Sequence, residues 1–371
     1  MRSEASGRSR GRRLVIVAGI LLAATALAGC TAVQDVAPSV APAPTAPPVR
    51  SPSPSPTVTI PPAPVSEAQL GRRVRGLLRS LPGDYAVDVQ ELDGDRHALR
   101  IDADEPHEPA STSKVFVAFA VLHRVDRGAL ALDDRLDNGL EVQECLRAML
   151  QVSNNECSVG LQQAIGAPGF SGVVRAAGFE DTAVAYGDGQ ANLTTASDVS
   201  DLMARLARGD LLSPGSTALM VDLLERQVWR EAIPQGLPKG VRQASKPGTL
   251  LPSTGFVQTD TAIVWGSRTR YVLTVLGSRG ATIEGISRIS RAVHEALQGP
   301  VDDPFVYDRQ QLVTTTDTAL RADGAGTTVL AVLPAGTPAE VLTSVRDWWL
   351  VRADGREGWV QQGDLALRGL A

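Results

Sequence analysis

A mixed α/β (α+β) domain, one antiparallel sheet interrupted by an inserted helical subdomain and followed by a small all-β module, is the fold class the sequence predicts. Three observations predict it. Between residues 66 and 300 the patterns run helix, two strands, a long helical section, strands, helix. One sheet must then be assembled from both ends of the domain. After about residue 312, short β-type runs recur between turns. Ahead of both lies a proline-rich stretch with little to bury.

The first 29 of the 371 residues read as an export signal. Arg2, Arg8, Arg10, Arg12 and Arg13 form a basic start, and residues 14–27 an almost uncharged apolar run. Leu27-Ala28-Gly29-Cys30 then reads as a lipobox, with lipidation expected on the Cys30 thiol and cleavage in front of it. The run is shorter than the roughly 20 residues a spanning helix needs, and a retained anchor helix is the alternative. Arg12-Arg13 also hints at twin-arginine export, without the rest of that motif. Losing five Arg and one Glu leaves 31 basic and 40 acidic residues, net −9, a poor footprint for nucleic acid. Residues 30–65, including Ser51-Pro52-Ser53-Pro54-Ser55-Pro56, form a semi-rigid tether. The expectation is an exported chain, lipid-anchored to the outer face of the bacterial cell membrane and touching the membrane only through that anchor.

Within residues 66–300, Leu70, Val74, Leu77 and Leu78 predict a helix over 67–80. Residues 85–89 and 97–101 read as strands around an Asp93-Gly94 turn. Helical patterning fills 111–209, and Ser213-Pro214 opens another helix, with Ser as cap and Pro in the first turn. Residues 261–265 and 271–277 form a hairpin, and a helix over 281–297 closes the domain. Residues 301–371 make the second module, with β-type runs at 328–332, 340–342, 348–351 and 358–360.

Chemistry concentrates at three places. Ser111-Thr112-Ser113-Lys114 starts an apolar helix, and a spacing of three puts Ser111 and Lys114 on one face. A neighbouring amine held neutral can take a serine proton. Ser111 as a plain helix N-cap is the alternative. Lysine usage sharpens the reading, because 33 of 36 basic residues are Arg and only Lys114, Lys239 and Lys246 are Lys. Burial and neighbours can deprotonate lysine but not arginine. Ser153-Asn154-Asn155 and Lys246-Pro247-Gly248-Thr249 are the second and third places. Cys145 and Cys157 could pair in an oxidising compartment, although their separation does not require it. His97, His107, His123 and His294 lack ligand spacing, so no metal and no cofactor are expected.

In order and spacing these three motifs resemble the Ser-x-x-Lys, Ser-Asp-Asn and Lys-Thr-Gly of the class A β-lactamase and penicillin-binding family, over about residues 67–297. The segment from Leu211-Leu212-Ser213-Pro214 through Gln227-Val228-Trp229-Arg230 resembles the helix before the third motif. The resemblance implies a β-lactamase-like sandwich. Ser111 would be nucleophile, Lys114 its activator and Ser153 a proton relay. Asn155 would hold the substrate amide and Lys246 would supply positive potential. The backbone N–H groups of Ser111 and Thr249, with Gly248 between the lysine and the threonine, would form an oxyanion hole. Leu320-Arg321, Gly336-Thr337, Trp348-Trp349 and Gly358-Trp359-Val360 resemble a bacterial SH3-like barrel over about 312–367. That resemblance implies peptidoglycan as a partner; filling of a small barrel core is the alternative role for each Trp.

Two departures qualify the family reading. Residues 178–193, ahead of Thr194-Thr195, lack the Glu-x-x-x-Asn whose glutamate activates deacylating water, leaving Asp188 as the attractive carboxylate. Its alternative role is that of a turn residue between Gly187 and Gly189. Pro247 removes a hydroxyl and an N–H where the family offers both to a substrate carboxylate. The sequence therefore points to a serine hydrolase acting through an acyl-enzyme on β-lactams or D-alanyl cell-wall peptides, with slow deacylation. The alternative is a non-catalytic wall-binding or sensory lipoprotein with a degenerate hydrolase domain.

Overall fold

Strand alternation sorts the central sheet into two buried faces. In β1 (Asp84–Glu91), Val87 and Val89 enter one apolar cluster while Ala86 enters another. In β5 (Val257–Trp265) and β6 (Arg270–Ser278), Ala262, Val264, Leu273 and Val275 join the first side, Ile263 and Val272 the second. With β2 (Ala98–Ile101) and β3 (Arg242–Ser245) the order is β2-β1-β6-β5-β3, antiparallel throughout, and β4 (Gly248–Leu250) pairs with β5. The computed structural model describes residues 66–93, 98–184, 192–250, 252–301, 312–324, 326–345 and 348–367.

Helices α1 (Glu67–Leu78) and α8 (Ile283–Gln298) cover the first face through Leu70, Val74, Ile286, Ile289 and Val293. Ser66 starts α1 with a capping box, its hydroxyl and the Gln69 side chain each taking up a backbone N–H. The second face carries the helical subdomain. Its centre is α2 (Lys114–Asp126), in which residues 114–122 are all buried, as expected of a helix apolar all round. Around it stand α3 (Val142–Gln151), α4 (Asn155–Ile165), α5 (Ala167–Ala176), α6 (Ala196–Arg208) and α7 (Pro214–Glu225). Ser213 caps α7 with Pro214 in its first turn.

The sequence placed the start of the hairpin at residue 261, but β5 begins at Val257. Gln258, Thr259 and Asp260 lie outside the predicted strand and are polar, yet they are buried, as is Thr261. Each has a partner: Thr261 Oγ1 lies 2.7 Å from Thr274 Oγ1, and Asp260 Oδ2 accepts from Ile233 N at 2.9 Å. Gln258 and Thr259 line the cleft described below.

The second module is a seven-stranded antiparallel sheet among the described residues. Its strands are β7 (Leu312–Thr314), β8 (Thr318–Arg321), β9 (Val329–Leu333), β10 (Pro338–Val345), β11 (Trp348–Ala353), β12 (Arg356–Gln361) and β13 (Leu365–Leu367), ordered β13-β7-β10-β11-β12-β8-β9. Trp349, 1% exposed, fills its core, whereas Trp348 and Trp359 are half-buried. Val152 and Val228 of the first domain belong to the same apolar cluster as Trp349, Val351 and Val360. Gln362 Nε2 also donates to Glu144 O at 3.3 Å. The module therefore packs directly behind the turn that carries Ser153.

Candidate active site

Ser111 sits on a 3-10 turn, Ala110–Ser113, that leads into α2. It is not the cap of α2, a place taken by Ser113. The turn needs a left-handed backbone at Ala110 (φ 47°), a conformation uncommon for a residue with a Cβ. Side chains hold it there. Thr112 Oγ1 donates to Lys246 O at 3.0 Å and lies 2.8 Å from Thr259 Oγ1, which donates to Pro109 O at 2.9 Å. Ser113 Oγ donates to Ala110 O at 2.7 Å. The turn is stitched to β5 and to the third motif at once.

Lys114 is fully buried, and four oxygens surround its Nζ. Ser153 O lies at 2.6 Å and Asn155 Oδ1 at 2.7 Å; Ser111 Oγ and Ser153 Oγ each lie at 3.1 Å. An ammonium has three protons to donate and nothing to accept with. A neutral amine can donate to the two oxygens that only accept, the carbonyl and the amide, and keep a lone pair for a hydroxyl proton. Burial, helped by the Lys246 charge, pushes the Lys114 pKa well below the usual lysine value. Geometry and electrostatics agree on a proton acceptor beside Ser111.

Ser153 also has a left-handed backbone (φ 65°), in the short turn between α3 and α4. A disulfide between Cys145 and Cys157, Cα atoms 4.8 Å apart, ties the two helices together across this turn. Asn154 caps α4, its Oδ1 accepting from Cys157 N at 2.8 Å. Asn and Asp serve equally well as caps, so the change in the middle of this motif leaves the turn's support intact. The Ser153 hydroxyl faces both lysines, with Lys246 Nζ donating to it at 3.0 Å.

Lys246 follows β3 and is fully buried; its Nζ also donates to Pro247 O at 3.0 Å. Burial pushes its pKa down, while the Asp260 carboxylate opposes that shift. Burial pushes Asp260 up, and Lys246 in turn opposes this. Gly248 leaves no room for a side chain: a Cβ there would lie 2.5 Å from Thr259 Oγ1 and 2.6 Å from Ser111 N. The strand therefore runs tight against the Ser111 backbone, as a hole formed with the Thr249 N–H requires. Thr249 Oγ1 donates to Gln258 Oε1 at 2.8 Å.

A cleft of about 410 Å³ opens over these groups, lined by Ser111, Ser153, Gly248 and Thr249, and also by Trp229, Glu231, Pro247 and Ile283. Ser111, Lys114, Ser153, Asn155, Lys246, Gly248 and Thr249 are thus brought together. Asp188 and Cys30 lie outside the described residues. Sequence reasoning missed Asp260 and Glu231. Asp260 stands in the polar run Gln258-Thr259-Asp260-Thr261, where nothing in the sequence sets it apart, and Glu231 sits in no motif.

Fold and cleft together have the architecture of the β-lactamase/penicillin-binding serine hydrolase fold. The chain belongs to the beta-lactamase enzyme family, whose profile matches residues 69–297, and a bacterial SH3 domain profile matches residues 316–366. Among solved structures, a mutant of the class A β-lactamase of the last common ancestor of Gram-negative bacteria is 26% identical, with a TM-score of 0.56 over 62% of this chain and 98% of that one. The ancestral class A enzyme itself is 25% identical, with a TM-score of 0.57 over 62% of this chain and 100% of that one. A mutant of PBP-A, solved as an acyl-enzyme complex with penicillin G, shares the fold at 24% identity, TM-score 0.57, over 62% and 96% of the two chains. A search of curated protein sequences found no match.

Proposed function

We propose that the chain forms an acyl-enzyme on Ser111 with β-lactams or D-alanyl cell-wall peptides and releases the acyl group slowly. The observation that carries this is the set of four oxygens around the buried Lys114 Nζ. Ser111 Oγ bonds to the carbonyl carbon while its proton passes to neutral Lys114. The N–H groups of Ser111 and Thr249 receive the oxyanion, a contribution of about 3–4 kcal/mol per donor. As the C–N bond breaks, the Ser153 hydroxyl gives its proton to the leaving nitrogen and regains one from Lys114. Asn155 holds the substrate amide. Water then splits the ester, returning the acid and the Ser111 hydroxyl. A neutral fluorophosphonate and a fluorescent penicillin should both label the wild-type chain, and Ser111→Ala should abolish both signals. Equal labelling of the variant would sink the assignment.

The same proposal takes Cys30 as the lipid anchor, residues 30–65 as tether and the SH3-like module as a peptidoglycan-binding element, at the outer face of the bacterial cell membrane. Cys30→Ala should leave the detergent phase on phase separation; unchanged partitioning would favour a retained anchor helix. The missing glutamate and Pro247 support the second reading, a wall-binding or sensory lipoprotein without turnover. A folded chain unreactive toward every acylating probe is the outcome that reading expects.

A further inference from the structure

Apart from the cleft, a smaller pocket of about 180 Å³ lies at the seam between the hydrolase domain and the second module. Arg147 of α3 and Arg226 at the end of α7 line one side, and Thr315, Trp349 and Gly363 line the other. No acidic side chain is among the described residues that line it. Its walls hold donors that lack acceptors. The Arg147 Nε and the Trp349 indole N–H are both buried with no hydrogen-bond partner among the described residues. Arg147 reaches across the seam, its Nη2 4.0 Å from where a Cβ on Gly363 would stand. Burial pushes the Arg147 pKa below the usual arginine value, and the Glu144 charge opposes that shift. The Glu144 carboxylate itself accepts from Glu141 N at 2.8 Å. Arg226, by contrast, is paired with Asp222 at 2.9 Å.

A half-buried cation with no acceptor on its Nε is costly, and buried polar groups ordinarily have partners. An anionic acceptor removes that cost, and the two oxygens of a carboxylate match the edge of a guanidinium. Size narrows the choice further. A pocket below about 300 Å³ is too small for a whole drug-sized ligand but admits the end of a chain. We propose that the seam pocket binds the carboxylate at the C-terminal end of a D-alanyl peptide, with Arg147 as its anchor. The choice of a wall peptide rests on the proposed function above; the site itself is separate from the cleft and needs no reaction at Ser111.

The test is equilibrium dialysis of the full-length chain in detergent with radiolabelled acetyl-D-alanyl-D-alanine and with its C-terminal amide. The acid should bind at least about tenfold more tightly than the amide. Arg147→Gln should weaken the acid by a similar factor and leave the amide where it was. A second measurement needs no variant: with a diazirine on the acetyl end, the acid should crosslink to segments 147–151, 312–315 or 363–365 of the wild-type chain. Equal affinity for acid and amide, unchanged binding of the acid by Arg147→Gln, or crosslinks confined to the cleft would each overturn the inference. Displacement of the acid by equimolar inorganic phosphate would also overturn it, showing a site for small anions rather than for a chain end. Fluorophosphonate labelling of Ser111 reads the acyl-enzyme proposal separately. Labelling without seam binding leaves that proposal standing and removes this one; seam binding without labelling does the reverse.

Discussion

On the helical side of the cleft, Lys114 is enclosed by the oxygens of Ser111, Ser153 and Asn155, on a turn fixed by a cap and a disulfide. On the strand side, Lys246 shares its burial with Asp260, and the next residue is Pro247. The first side keeps Ser111, Lys114, Ser153 and Asn155 at the positions of the two family motifs it resembles, and its single change, Asn154, caps α4. The second side keeps its lysine and glycine but alters what meets the substrate. The contrast teaches that reactive geometry and recognition can diverge separately, because the first is fixed by mutual hydrogen bonds and the second by whatever the cleft displays.

The largest effect should come from Lys114→Arg. A permanent cation cannot accept the serine proton, so acylation at Ser111 should drop by roughly 10²–10⁴-fold. The rate of fluorophosphonate labelling measures it, with circular dichroism confirming the fold. Retention of more than about a tenth of the rate would remove Lys114 as the proton acceptor.

A smaller effect should appear on the strand side as a shift in pH dependence. Acylation should rise with pH as Lys114 loses its proton, since only the neutral amine accepts, and this limb should lie well below the usual lysine value. It should fall again as Lys246 loses the proton that supplies positive potential. The Asp260 carboxylate favours charged Lys246, so Asp260→Asn should move the falling limb to lower pH and leave the rising limb nearer its place. A falling limb that stays put would separate Asp260 from Lys246. The smallest effect belongs to Asn154→Asp, which should change stability by no more than about 0.5 kcal/mol because both residues cap helices well. A large loss of acylation in that variant would give Asn154 a part the comparison denies it.

The elements of the fold were legible where burial follows apolar patterning, as in α1, the second half of the hairpin and α8. They were not legible where polar side chains are buried against one another. The predicted hairpin omits the polar start of β5 because a one-dimensional pattern does not show that Thr259 has Thr112 for a partner, or Asp260 the Ile233 N–H. The site divides in the same way. Ser111, Lys114, Ser153, Asn155 and Lys246 were readable because each lies in a short ordered motif. Glu231 lines the cleft and Asp260 acts on the Lys246 charge, both from motif-free segments, and only three-dimensional packing brings them there.

The central claim is that ester formation is intact while release is slow, and rapid mixing of the full-length chain in detergent with a thioester whose leaving thiol ends in an amide tests it most directly. Without the glutamate of the family motif, water lacks an aid worth roughly 10²–10⁴-fold. Thiol release should therefore show a burst of about one equivalent per chain followed by a slow steady phase, as expected for accumulating acyl-enzyme. The acyl mass recovered at the end of the burst should map to the peptide containing Ser111. Rapid linear turnover with no burst, or an acyl group on any other residue, would contradict the account.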